Sequence, residues 1–291
     1  MNPSDNSTLA ALINLLDEPD EGAFNLIREQ ILLLGMDAIG PLEKCLENRF
    51  EAVVEERIRS IILKLNQENL YVEFSNWLNI GSSDLLKGFI LVTKTEYPSL
   101  DEEEIVIGIE QLKMDIWIEL HDNLTALENV KVLNHMIFDI HHFEGNKTDI
   151  TAPQNNFITT LLENKQGSAL SLGILLIVLG QKLGLPLYGV NLPQHFILAY
   201  LTDTGIVNPG ENDVLFYINP FTRGTIFTRR DIDLFIGQMK IKPEKSFFAP
   251  CSNPVIIRRL IETSLPPVLS MDSKSPPAII PCSKSSIIGS R

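Results

Sequence analysis

The stretch GVNLPQHFILAY, residues 189–200, carries one titratable side chain, His195, between Pro193 and an apolar, β-rich run. An imidazole in that position can act as a general base if a nucleophile and an orienting partner lie within hydrogen-bond reach. Upstream, Gly167–Ser168–Ala169–Leu170–Ser171 opens a long apolar segment. This is a helix start, where the dipole favours negative charge and a nucleophile is well placed. Its hydroxyls, Ser168 and Ser171, are weak nucleophiles unless a well-oriented base activates them. Ser168 fits equally well as the N-cap of the helix. Downstream, Asn219 ends another strand-like run just before Pro220. Its amide can accept a hydrogen bond from an imidazole but has no charge to stabilise imidazolium.

Other chemistry-bearing residues are less promising. Cys45, Cys251 and Cys282 are far apart and odd in number, which argues against a disulfide framework or a zinc cluster. Cys45, inside a helical pattern, reads as a packing residue. His141 and His142 are adjacent, so they project in different directions and make a poor bidentate metal site. The DEEE run at 101–104 reads as a solvated first helical turn. No metal or other cofactor is expected.

These residues need elements to hold them. With 291 residues, 44% hydrophobic and 21% charged, the chain can bury a sizeable core. The net charge of −13 disfavours nucleic acid and anionic membrane as partners. The polar N-terminus lacks a signal-peptide pattern, and the longest apolar run, Leu170–Leu179, is too short to span a bilayer. A cytoplasmic protein is expected.

Residues 1–82 read as short helices. Leu9 to Leu16 follow an Asn6–Ser7–Thr8 capping region, Ala23 to Leu34 end at Gly35, a third helix contains Cys45, and a fourth spans Val53 to Leu65. Tight breaks between them suggest a HEAT-like stack without a strict repeat. Residues 83–248 form the second region. Helical patterns run from DLLKGFILVTK through NVKVLNHMIFDI, and the stretch from Asn155 reads helix, turn at Gly167, buried helix, Gly-Leu-Pro break and strand, with another strand ending at Asn219. A helix start followed by two adjacent strands is the plan of a cysteine-protease-like core. Residues 249–291 hold one short helix, NPVIIRRLIETS, and then a Pro/Ser-rich segment without helical periodicity. That tail is expected to be disordered.

In order and spacing, EYPSLD, LNHMIFD, FEGN, PQNNFITTLLENKQG, LGLPLYGVNLPQHFIL and YINPFTRG resemble the transglutaminase-like superfamily. The closer resemblance is to its SirB-type bacterial branch, which joins helical repeats to a transglutaminase-like core. The resemblance covers roughly residues 83–248 and implies a triad of Cys in Gly-x-Cys, His on one strand and Asp on the next. Here those positions read Ala169, His195 and Asn219.

The expected fold is therefore α+β and helix-rich, with a HEAT-like module leading into a transglutaminase-like core built around a small antiparallel sheet. Ala169 should lie at the start of the buried helix, facing His195 and Asn219 on adjacent strands. The expected function is binding or regulation by a catalytically degenerate protein, with a protein partner and a small-molecule ligand near His195. Ser168, Asn155, His195 and Asn219 are the binding candidates. The alternatives are a weak serine-dependent hydrolase using Ser168 or Ser171 with His195 and Asn219, and a scaffold acting through the helical repeats.

Overall fold

The computed structural model describes residues 3–47, 51–202, 205 and 210–264. The expected disordered tail and Cys282 lie outside them. The chain divides into two units, Met1–Asn76 and Trp77–Arg291. Among the described residues no helix is long and apolar enough to cross a membrane.

The first unit is helical. Helix α1 spans Pro3–Ile13, starting ahead of the expected cap, with proline where a missing N–H costs nothing. Helix α2, Glu21–Leu33, is capped by Asp20, and Gly35 follows it at φ +66°, the left-handed turn that glycine permits. Helix α3 spans Ile39–Leu46, and α4, Ala52–Asn79, runs well past the expected fourth helix. The core of this unit is made of Leu9, Leu16, Phe24, Ile31, Leu42 and Ile58, with neighbouring aliphatics.

In the second unit, helices α5 (Leu85–Lys94), α6 (Glu102–Glu119), α7 (Ala126–Asn134) and α8 (Ile158–Asn164) precede the buried helix α9, Ala169–Lys182. The expected solvated turn is present at α6, where Asp101 accepts from the Glu103 and Glu104 N–H groups. Two residue pairs, β1 (Glu144–Gly145) and β2 (Gln166–Gly167), run parallel and lead the chain into α9.

The stretch read as one strand after Pro186 is a hairpin. Strands β3 (Leu187–Leu192) and β4 (His195–Leu201) are joined at Pro193–Gln194. Pro193 fixes its own φ, and Gln194 takes φ +60°, which turns the chain back without glycine. Strands β5 (Val214–Asn219) and β6 (Thr225–Phe227) complete an antiparallel sheet in the order β3-β4-β5-β6. Helix α10, Arg229–Met239, was not anticipated from sequence, although Thr228 and Asp231 form a capping box at its start. Helix α11, Asn253–Ser264, corresponds to the expected last helix.

The two faces of this sheet pack against different helices. Phe196 and Leu198 press on α9, where a Cβ added at Gly173 would sit 2.6 Å from the Phe196 ring and 3.4 Å from Leu198. On the other face Val190, Leu192, Ile197, Ala199 and Tyr217 pack with Ile232 and Ile236 of α10 and with Phe248. Tyr217 anchors this layer by donating its buried hydroxyl to the Phe248 carbonyl at 2.8 Å.

Candidate functional site

Strand alternation decides which candidates meet. His195 and Ile197 share the face of β4 that looks toward α10. Leu198 pairs with Ile218, so Asn219, the next residue of β5, lies beside Ile197 on that same face. His195 and Asn219 both line a cavity of about 220 Å³, together with Leu192, Ile197, Phe227, Asp231, Ile232 and Phe235. One side of the imidazole is open to solvent. The other meets the Phe235 ring edge-to-face, with centroids 4.7 Å apart. Burial against these apolar groups, with the nearby Arg259 charge, holds the His195 pKa below its ordinary value. The neutral imidazole is thereby favoured, with one ring nitrogen to donate and one to accept.

The polar groups around it are partly committed. Asn219 Oδ1 accepts from the Phe221 N–H at 3.0 Å, closing the turn that leaves β5. One Asp231 carboxylate oxygen accepts from Thr228 N–H at 2.8 Å and Thr228 hydroxyl at 2.7 Å, which lowers the Asp231 pKa. The cavity is therefore a mostly apolar cleft with an imidazole, an amide and a carboxylate on its walls.

Helix α9 lies on the other side of the sheet. The helix packs on the Phe196–Leu198 face, and Ala169 is not among the residues that line the His195 cavity. His195 itself turns to the α10 face, away from the Phe196–Leu198 face on which α9 packs. The reason is again alternation: once the turn at Pro193–Gln194 fixes His195 as the first residue of β4, Phe196 takes the α9 side.

Ser168 and Ser171 are occupied where they stand. They form a capping box, in which the Ser168 hydroxyl accepts from Leu170 and Ser171 N–H while Ser171 Oγ accepts from Ser168 N–H. The Ser168 hydroxyl also donates to Asn156 Oδ1 at 2.6 Å, and the fully buried Ser171 hydroxyl donates to the Asn155 carbonyl at 2.6 Å. Asn155 is itself tied down, accepting from Asn146 Nδ2 at 2.9 Å and donating to the Asp149 carbonyl at 2.6 Å. These residues bind the 146–156 loop to the first turn of α9. None of them lines the cavity.

This network sets an expectation for Ser168→Ala. The change removes a cap, which costs about 1 kcal/mol. It also strips the donor from buried Asn156, and a buried unsatisfied acceptor costs roughly 1–3 kcal/mol. A loss of about 2–3 kcal/mol in urea denaturation is expected from the two together. A loss within about 0.5 kcal/mol, typical of ordinary surface changes, would show that the hydroxyl is not structural.

Residues that sequence reasoning missed complete the site. Arg259, on α11, donates to the Leu192 carbonyl at 3.0 Å, the His195 carbonyl at 2.8 Å and Asn191 Oδ1, strapping the turn that presents His195. Asp231 and Phe235 arrive with α10. The Thr228-x-x-Asp231 capping box could have revealed that helix. Nothing local marks Arg259, since its partners are remote in sequence. Of the cysteines, Cys251 has its pKa pushed up to about 11 by burial, and burial also raises that of Cys45, so neither is a reactive thiolate.

Comparison with known proteins places this geometry. A UPF0162 protein of Xylella fastidiosa (strain Temecula1 / ATCC 700964) is 25% identical over 136 residues, covering 45% of this chain and 48% of that protein. A UPF0162 protein of Vibrio cholerae is 26% identical over 186 residues, covering 62% and 65% respectively. F-box only protein 21 of Homo sapiens is 28% identical over 106 residues, covering 36% of this chain and 17% of that protein. The matched region thus spans about half of the Xylella relative's length and somewhat less than two thirds of the Vibrio one. No solved structure matches. The family model of the transglutaminase-like superfamily matches residues 103–262, from the first turn of α6 into α11 and so across every element of the sheet and both flanking helices, and the chain belongs to that superfamily.

Proposed function

We propose that this protein is a transglutaminase-like fold that works by binding, without transamidase or amidase activity. One observation carries the reading: the helix start where the superfamily places its cysteine holds Ala169, and the imidazole faces the other side of the sheet. The ligand site is the cavity beside His195 and Asn219, where apolar walls supply burial and three polar groups supply orientation. A protein partner, a cytoplasmic location and a HEAT-like role for the N-terminal helices belong to the same reading. A serine hydrolase is less well supported, because the Ser168 and Ser171 hydroxyls donate to Asn156 and Asn155 and neither residue lines the cavity.

The test is an assay of transamidation and amide hydrolysis on three proteins: the unmodified chain, His195→Ala, and Ala169→Cys combined with Asn219→Asp. No turnover above buffer is expected from any of them. The introduced thiol gains reactivity from the helix dipole alone, so its alkylation by iodoacetamide should not change when His195→Ala is added. Turnover by the unmodified chain that disappears in His195→Ala would overturn the proposal. Alkylation that slows sharply with His195→Ala would show that imidazole and helix start do meet.

A further inference from the structure

Helix α6 is apolar on both sides. Its inner face buries Ile105, Ile109, Leu112 and Ile116. Its outer face exposes Ile107 (62%), Met114 (48%), Trp117 (61%) and Ile118 (64%). A surface helix ordinarily turns charge outward, and one that is apolar all round is usually covered. The outer residues are spaced for a particular kind of cover. Ile107, Gln111, Met114 and Ile118 stand at intervals of four, three and four, the a/d spacing of a helix–helix seam, with Gln111 as a polar residue at an a position. The helix has 18 residues, about 27 Å, which is long enough to hold a partner helix along several turns.

Charge narrows the choice of partner. Glu103 and Asp115 flank the seam and Glu104 extends it by one further a position; Glu103 and Glu104 have no Lys or Arg partner among the described residues, and Asp115 meets only Gln111 and His141. The lysines near the helix are held by other carboxylates of it: Lys113 and Lys182 bind Glu110, and Lys87 and Lys94 bind Glu102. A second copy of this chain would set carboxylates against carboxylates, and an anionic lipid surface would be repelled. We infer that the outer face of α6 docks an amphipathic helix of a partner protein, one with an apolar a/d ridge flanked by Lys or Arg. This surface is independent of the His195 cavity, so either can fail without the other.

The probe is a synthetic four-heptad helix with Leu at a and d and Lys at e and g, labelled for fluorescence anisotropy and titrated with the full chain. Two controls accompany it: a scrambled peptide of identical composition, and a version with Glu in place of Lys. The heptad peptide should bind, weaken as salt rises, and bind at least about tenfold more weakly to the Ile107→Asp, Ile118→Asp double variant, a fall of about 1.4 kcal/mol. Both positions are exposed, so the variant should keep its far-ultraviolet circular dichroism. Equal binding of the scrambled or the Glu peptide would overturn the inference, as would unchanged binding to the double variant. A dimer of the chain in sedimentation equilibrium that the double variant dissolves would overturn it too, by making a second copy the occupant.

Discussion

Gly173→Leu is expected to destabilise the second unit by more than about 3 kcal/mol, the upper end of what overpacking of a core ordinarily costs. At Gly173 even a lone Cβ would lie 2.6 and 2.8 Å from carbons of the Phe196 ring. That ring is buried and bounded on its other side by Gly189, whose own added Cβ would lie 2.6 Å from it. Phe196 therefore cannot retreat, and helix and sheet must separate. Gly173→Ala separates two opposing effects. Alanine gains about 1 kcal/mol of helix propensity over glycine, while the clash costs roughly 1–3 kcal/mol. The clash should prevail, leaving a modest loss. Urea denaturation of the two variants checks this, and an alanine variant as stable as the parent would show that Phe196 has room to move.

Arg259→Met should have the second largest effect. It removes three hydrogen bonds from a half-buried guanidinium and leaves the Leu192 and His195 carbonyls without that donor. Each charged hydrogen bond contributes about 1.5–3 kcal/mol. Part of that is recovered, because desolvating the guanidinium is itself unfavourable and depresses its pKa. A net loss of about 2–3 kcal/mol is expected, with faster proteolysis at Pro193–Gln194 than at the rest of the sheet. A second reading comes from the imidazole. The Arg259 charge disfavours imidazolium, so its removal should raise the His195 pKa toward the ordinary value, visible in an NMR titration. The stability profile should follow. A histidine with a depressed folded pKa contributes its full stability above the unfolded pKa and loses it as pH falls toward the folded one. That acid-side loss should shrink in Arg259→Met. An unmoved His195 pKa would mean the charge is screened there.

Much of this was legible in the sequence. Leu170–Leu179 is too apolar to be anything but a buried helix, and Ser168 announces its cap. His195 and Asn219 could be placed on neighbouring strands because each stands at one end of an apolar run. Their shared face was legible too; that this face looks toward α10 and not toward α9 was not. The hairpin at Pro193–Gln194 carries none of the Asn-Gly or Asp-Gly signals of a tight turn, so the stretch read as one strand. A misplaced turn changes which residues point inward, and a shift of one residue exchanges the two faces of a strand. The position of Ala169 relative to His195 depended on that parity. Helix α10 was missed because only Ile232 and Ile236 of it are buried, and its first turns carry Arg229, Arg230, Asp231 and Asp233. Arg259 could not be found at all, since a salient arginine looks the same in sequence whether it meets water or three acceptors.

The clasp by Arg259 also has a consequence for the order in which the protein is made. The hairpin that presents His195 is synthesised well before its fastener, which comes more than sixty residues later on the last described helix. A nascent chain that has exposed all four strands but not yet α11 has a sheet whose outer turn is held only by its own backbone ladder. Because contacts distant in sequence form late, the cleft beside His195 reaches its final shape only after the rest of the domain is in place.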